Sequence, residues 1–274
     1  MNYNEKIFSA LKSLLFFIMS FFRKEKPSND KDWAKDQEVL QCAKIEGNIV
    51  CVYNIRDFLY RTEKDYLPRY YDKKFNLNEI KKVYYFVVPF GRIPYQAHVL
   101  LSFEFENGDF VTVSVEIRKK KDEHFSSFSC LWKNFELMYV IGSECDLVRL
   151  RTNFRKGESV YMYPLNLSQE KTRELFLDIM HRVNKLKNEP EFFSISSNNC
   201  ATNIVTHLNR VIAPDRMPFK LVAFLPEMSG RILYNLKLID SVLSFTETQK
   251  RHYINDIALC CEGDVDFSRK IRKQ

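Results

Sequence analysis

The sequence predicts an α+β protein in which a central antiparallel sheet packs on helices. Three features point there. Strand-like patterns crowd the first two thirds of the chain around a hairpin at Asn107-Gly108, an amphipathic helical pattern follows Ser168, and a second helix opens at Asn198-Asn199-Cys200. Composition agrees: of 274 residues 45% are hydrophobic and 28% charged, and 23 Phe with 14 Tyr argue against disorder. That length suits one large domain or two small ones. The net charge of +7 is spread along the chain, denser at 23–35, 118–121 and 269–273. No basic stripe is interleaved with aromatics, which argues against nucleic acid as a partner; an anionic membrane surface fits the first cluster better. The seven cysteines (42, 51, 130, 145, 200, 260 and 261) are an odd number, so at least one thiol is free. With no C-x-x-C, no H-E-x-x-H and no Gly-rich phosphate loop, neither a metal nor a cofactor is expected.

Residues 7–22, IFSALKSLLFFIMSFF, are an apolar run broken once by Lys12. It is shorter than the ~20 residues of an ordinary spanning helix, and no A-x-A site follows. An uncleaved anchor over 1–24 is therefore expected, either spanning the bilayer or lying on it as an amphipathic helix. Arg23, Lys24, Lys26, Lys31 and Lys35 follow the run, which by the positive-inside rule would keep the body cytoplasmic. Residues 25–36 read as a polar linker with Pro27, Ser28 and Asn29 as breakers, and 37–274 as the folded domain. Alternation places Ile49, Cys51, Tyr53 and Ile55 on one face of a strand; 63–80 reads as irregular, and 81–90 as a buried strand ending at Pro89.

Two registers are open to the central hairpin. A two-residue Asn107-Gly108 loop would mix its faces. A three-residue loop, Asn107 to Asp109, pairs Glu106 with Phe110 and collects Val99, Leu101, Phe103, Phe105, Val111, Val113, Val115 and Ile117 on one apolar face. The second register is the better one. The other face then carries His98, Ser102, Glu104, Thr112, Ser114, Glu116 and Arg118, with Glu116 one pair diagonal from His98. Such a face fits either solvent or a base with its orienting carboxylate.

Ser168 caps a helix over 169–187 with Leu175, Ile179, Val183 and Leu186 as its buried stripe, and His181 on its surface. In the next helix Asn199 precedes Cys200, and Ile204, Val205, Leu208 and Val211 follow at helical spacing. The thiol therefore lies in the first turn, where free N–H groups and the helix dipole favour thiolate. A nucleophile needs that setting, although a buried structural cysteine fits the local pattern equally well.

Several blocks resemble one bacterial family: PSNDKDW at 27–33, IRDFLYRTEKDYLPRYYDKKFNL at 55–77, AHVLLSFEFENGDFVTVSVEIRKK at 97–120, ELMYVIGSECDLVRLRTNFR at 136–155, VYMYPL at 160–165 and NNCATNI at 198–204. That family is the Lnb N-terminal periplasmic domain, found in lipoprotein intramolecular transacylases. The resemblance implies a permuted papain-like fold, with the histidine strand before the cysteine helix. It also implies Cys200 as nucleophile, His98 as base and Glu116 as the strand carboxylate. Ser114 is the alternative orienting residue, and Ser114 and Asn199 are candidates to contact substrate. The implied activity is a membrane-anchored acyl transfer or hydrolysis through a thioester. Its donor would be a bacterial lipoprotein or a phospholipid-like molecule, at the inner membrane with the domain periplasmic, against the charge count above. The alternatives are a papain-like amidase or peptidase acting on peptide or cell-wall amides, and a non-catalytic envelope or lipid-binding module.

Overall fold

The computed structural model describes residues 26–91, 94–123, 135–214, 216–261, 263–264 and 266–273, so the expected anchor lies outside the described residues. The strands are β1 (Cys42–Glu46), β2 (Ile49–Arg56), β3 (Leu59–Tyr60), β4 (Tyr66–Leu67), β5 (Tyr70–Asn76), β6 (Ile80–Pro89), β7 (Ala97–Phe105), β8 (Phe110–Arg118), β9 (Glu136–Gly142) and β10 (Tyr161–Pro164). The main sheet runs β1-β2-β9-β8-β7-β6-β10, with β5 also on β2. Its pairings are antiparallel except where β2 meets β9 in parallel at Arg56 and Gly142. The fold is thus mixed α+β, and the sheet is not purely antiparallel.

Helices cover both faces. α1 (Glu144–Leu147) leads into a π-helical turn (Leu150–Phe154), followed by α2 (Gln169–Asn188), α3 (Cys200–Val211) and α4 (Phe219–Phe224). The chain ends with α5 (Ser229–Asn235), α6 (Phe245–Arg251), α7 (Asn255–Leu259) and α8 (Phe267–Lys270). The predicted apolar face of β7 and β8 packs against Leu175, Phe176, Ile179 and Val183 of α2 and Ile204, Val205 and Leu208 of α3. Phe176 sits edge-on to Phe103, Phe105 and Phe75, with ring centroids 5.0, 5.9 and 6.0 Å away. Each such pair adds about 0.5–1.5 kcal/mol beyond area burial. Ser168 caps α2 as predicted, accepting from the Lys171 N–H, and His181 is exposed.

The opposite face is not solvated. Tyr84, Phe86, Leu100 and Met162 pack there against Ile254, Ala258, Phe267 and Ile271. Ser102, Thr112 and Ser114 are completely buried. The segment after Pro214 therefore builds a second core layer through α7 and α8.

The sequence readings of the hairpin loop, of β2 and of residues 63–80 are corrected. The hairpin loop has three residues, but they are Glu106, Asn107 and Gly108: Phe105 N–H donates to Asp109 O at 2.9 Å, and Glu104 pairs with Phe110. Gly108 sits at φ +85°, which only glycine takes without strain. The register shifts by two, so the faces keep their membership, but Glu116 comes directly opposite His98. In β2 the inward residues are Val50 and Val52, while Ile49 and Tyr53 are exposed. A bulge with Asn54 at φ +61° then reverses the alternation, so that Ile55 also points inward. Residues 63–80 are not irregular: β4, β5 and a 3₁₀ turn occupy them, and β5 is held by its ladder to β2. The stretch read as a linker lies against the body. Trp33 is buried, donates to Asn29 O at 2.8 Å, and stacks under the Arg118 guanidinium, 4.0 Å from its ring centroid.

Candidate active site at the start of α3

β7 supplies His98, β8 supplies Ser114 and Glu116, the π-helical turn supplies Arg151, and α3 opens on Cys200. His98, Glu116, Arg151 and Cys200 line one cavity of about 420 Å³, walled by Phe90, Phe193, Val140 and Leu150, with Lys119, Arg155 and Glu158 among its charged residues.

Hydrogen-bond counting fixes the proton positions. Ser114 Oγ donates its only proton to Glu116 Oε1 at 2.6 Å. It must therefore accept from His98 Nε2, which lies 2.7 Å away. Nε2 is thus the protonated nitrogen, 3.3 Å from the Glu116 carboxylate, and Nδ1 is the nitrogen left for the thiol. Arg151, almost wholly buried, donates to the same Glu116 oxygen at 2.7 Å and to Leu147 O at 2.7 Å.

Electrostatics follow from this order. Burial pulls His98 toward neutrality, but Glu116 and then the Cys200 sulfur outweigh it and raise its pKa to about 9. Burial likewise favours the neutral thiol at Cys200; the charge and hydrogen bond of His98, with the Val99 N–H, overcome it and lower the pKa. Glu116 is held well below the carboxylate range despite burial, by His98 first and then Arg151 and Ser114. The two shifts run in opposite directions: His98 is held in its charged form, and the Cys200 thiol is more acidic than an ordinary cysteine.

Asn199 is the N-cap of α3, in a capping box with Thr202: its Oδ1 accepts from Thr202 N–H at 2.8 Å, and its own N–H donates to Thr202 Oγ1 at 2.8 Å. Its amide nitrogen donates to Ile195 O at 2.5 Å and Ala223 O at 3.3 Å. Ser114 and Asn199, the two candidates for substrate contact, are both buried and fully engaged within the protein.

Sequence reasoning missed Arg151 and the buried pair Arg56–Asp146. Arg56 grips Asp146 with two bonds of 2.8 Å, and the Phe58 N–H adds a third at 2.9 Å, fastening β2 to α1 beside the cavity. These residues all lie in the resembling blocks, but no local spacing signals a pairing across ninety residues of chain. His207, also missed, braces α3 from behind: Nδ1 lies 2.6 Å from Asp178 and Nε2 2.8 Å from the Tyr139 hydroxyl.

Comparison with known proteins decides the family. The model of the Lnb N-terminal periplasmic domain matches residues 66–227, more than half of the chain. The chain belongs to this family. No curated protein and no solved structure matches it. The Lnb N-terminal domain match spans β7, β8, β9 and the whole of α3, so every residue of the His98–Cys200 cluster lies inside it. Among the described residues no helix is long and apolar enough to cross a membrane, and no cluster of acidic, His and Cys side chains is suited to a metal.

Proposed function

We propose that the chain is a periplasmic thiol-dependent acyltransferase or hydrolase, held at the inner membrane by residues 1–24, acting on an acylated, lipoprotein-like substrate. The observation that carries this reading is the shared cavity in which His98 and Cys200 perturb one another. In support of a permuted papain-like arrangement, the histidine strand precedes the cysteine helix, and the imidazole is oriented through its other nitrogen.

The thiolate of Cys200 attacks the ester carbonyl; a C–S bond forms and the carbonyl π electrons move to oxygen. N–H groups at the start of α3 hold that oxyanion. As the oxyanion collapses the C–O bond breaks, and His98 gives its Nδ1 proton to the departing alkoxide. An amine or water then attacks the thioester, returns a proton to Nδ1 and releases the thiolate. Glu116, Ser114 and Arg151 position the imidazole, and Asn199 positions the thiol; none of these four needs to touch substrate.

Mass spectrometry of the purified protein incubated with a diacylated lipopeptide tests the chemistry. An acyl adduct on Cys200, absent from Cys200→Ala, is the expected result. Amide cleavage without that adduct would instead support the amidase reading, and neither product would support a binding module.

A further inference from the structure

Next to Cys200 the surface changes character. Phe224 is 59% exposed and Tyr95 52%, and Ile195, Phe219 and Leu221 are each more than a third exposed. Scattered apolar side chains on a surface mean little, but these are tied together. The Asn199 amide that caps α3 bonds both Ile195 O and Ala223 O, and the Glu227 N–H bonds Tyr95 O at 3.2 Å. α4 buries only Val222 and Ala223, and turns Phe219, Lys220, Leu221 and Phe224 outward. Between 216 and 228 the described charges are exposed Arg216 and Lys220 and half-buried Glu227. Exposed aromatic and aliphatic side chains interleaved with cations make an interfacial surface: rings for the acyl boundary, ammonium and guanidinium groups for anionic headgroups.

We propose that this shelf, formed by α4, Tyr95 and Ile195 beside the Cys200 cap, docks on an anionic lipid bilayer. Read as an anchor, as the proposed function has it, the apolar run at 7–22 makes the bilayer the partner to expect at this surface. The shelf adds a second contact that sets the orientation of the domain, with the mouth of α3 toward the lipid. The proposal does not rest on the chemistry of Cys200.

The test uses the full chain and reads the shelf locally, because the N-terminal run alone can carry protein to vesicles. Phe224→Trp places a reporter on the shelf. Ile49→Trp places one at the other end of the sheet, where β2 pairs with Asn76 far from the β7 end that bears His98. Emission is measured on vesicles of phosphatidylethanolamine and phosphatidylglycerol with brominated acyl chains, after subtracting the parent protein with its Trp33 and Trp132. The expected result is quenching at position 224 and not at 49, weaker on phosphatidylcholine, and unchanged by Cys200→Ala. Lys220→Gln should weaken the shelf contact about fivefold, the size of one interfacial cation. Vesicle-bound protein with an unquenched Trp at 224, equal quenching at both positions, or no preference for anionic lipid would each overturn the proposal. So would a concentration-dependent blue shift without lipid, which would mean that a second copy covers the shelf.

Discussion

His98 donates through Nε2 to a serine that has already given its own proton to Glu116, and this chain of donors sets the pH behaviour of the site. Glu116 is the main group keeping His98 charged up to about 9, against an ordinary value of 6.5. The sign follows from linkage: the raised His98 contributes stability that is complete below pH 6.5 and lost as pH rises through about 9. Cys200 and Glu116, both depressed, contribute above their ordinary values of 9.0 and 4.5 and lose that contribution as pH falls through their folded values. Glu116→Gln should therefore lower the His98 titration, followed by NMR of the labelled imidazole, from about 9 toward 6.5. The alkaline limb of any Cys200-dependent activity should move to lower pH with it. An unmoved His98 titration would exclude Glu116 as the orienting charge. Residue type, strand parity and helix position put His98, Glu116 and Cys200 forward as candidates, and the family resemblance singled out His98 among the five histidines. Sequence reading stopped short of Arg151, whose contact with Glu116 exists only after the π-helical turn folds against β8.

At the scale of elements, α3 shows how a short helix start is made rigid enough to carry chemistry. Asn199 closes a capping box and also ties two loops to the helix mouth. Asn199→Ala removes a cap worth about 1 kcal/mol and leaves the carbonyls of Ile195 and Ala223 without that donor. We expect a loss of roughly 2–3 kcal/mol in urea unfolding from these two effects together. Asn199→Asp, which keeps the Oδ1 cap, should recover part of it. A loss below about 0.5 kcal/mol for Asn199→Ala would mean that the box is dispensable. The cap was legible because Asn-Asn before an apolar helical period is a local signal, and so were α2 and the apolar face of the hairpin. The bulge in β2 was not, since one residue at positive φ inverts an alternation that otherwise reads cleanly. β5 was hidden for a related reason: Phe75 alone among its residues is buried, so its partner strand rather than its own pattern makes it a strand.

For the whole molecule, the decisive feature is that the polar face of the central hairpin is an interior. Its period-two pattern with Ser102, Thr112, Ser114 and Glu116 reads like a water-facing surface; Glu144 and Arg151 cover it from 42 and 35 residues along the chain, and α7 and α8 from still farther on. Arg272 is sandwiched between the rings of Tyr84 and Phe110, its guanidinium 4.1 and 4.0 Å from their centroids. It donates to both oxygens of Glu144, a carboxylate with no exposed surface, at 2.6 and 2.7 Å. Removing one partner of such a pair strands a buried charge, which costs about 3–5 kcal/mol, whereas replacing both by apolar groups is often neutral. Arg272→Met alone should therefore lower the urea midpoint strongly by stranding the Glu144 carboxylate. Adding Glu144→Leu should restore much of the loss, although Ser102 then loses its acceptor. A double variant no more stable than Arg272→Met would show that the pair itself, and not the stranded charge, holds α8 to the sheet. Because Glu144 opens the segment that runs through Asp146 to Arg151, the same measurement made on Cys200 reactivity reports whether the second layer keeps the imidazole in place. We expect reactivity to fall with the single variant and to return with the double.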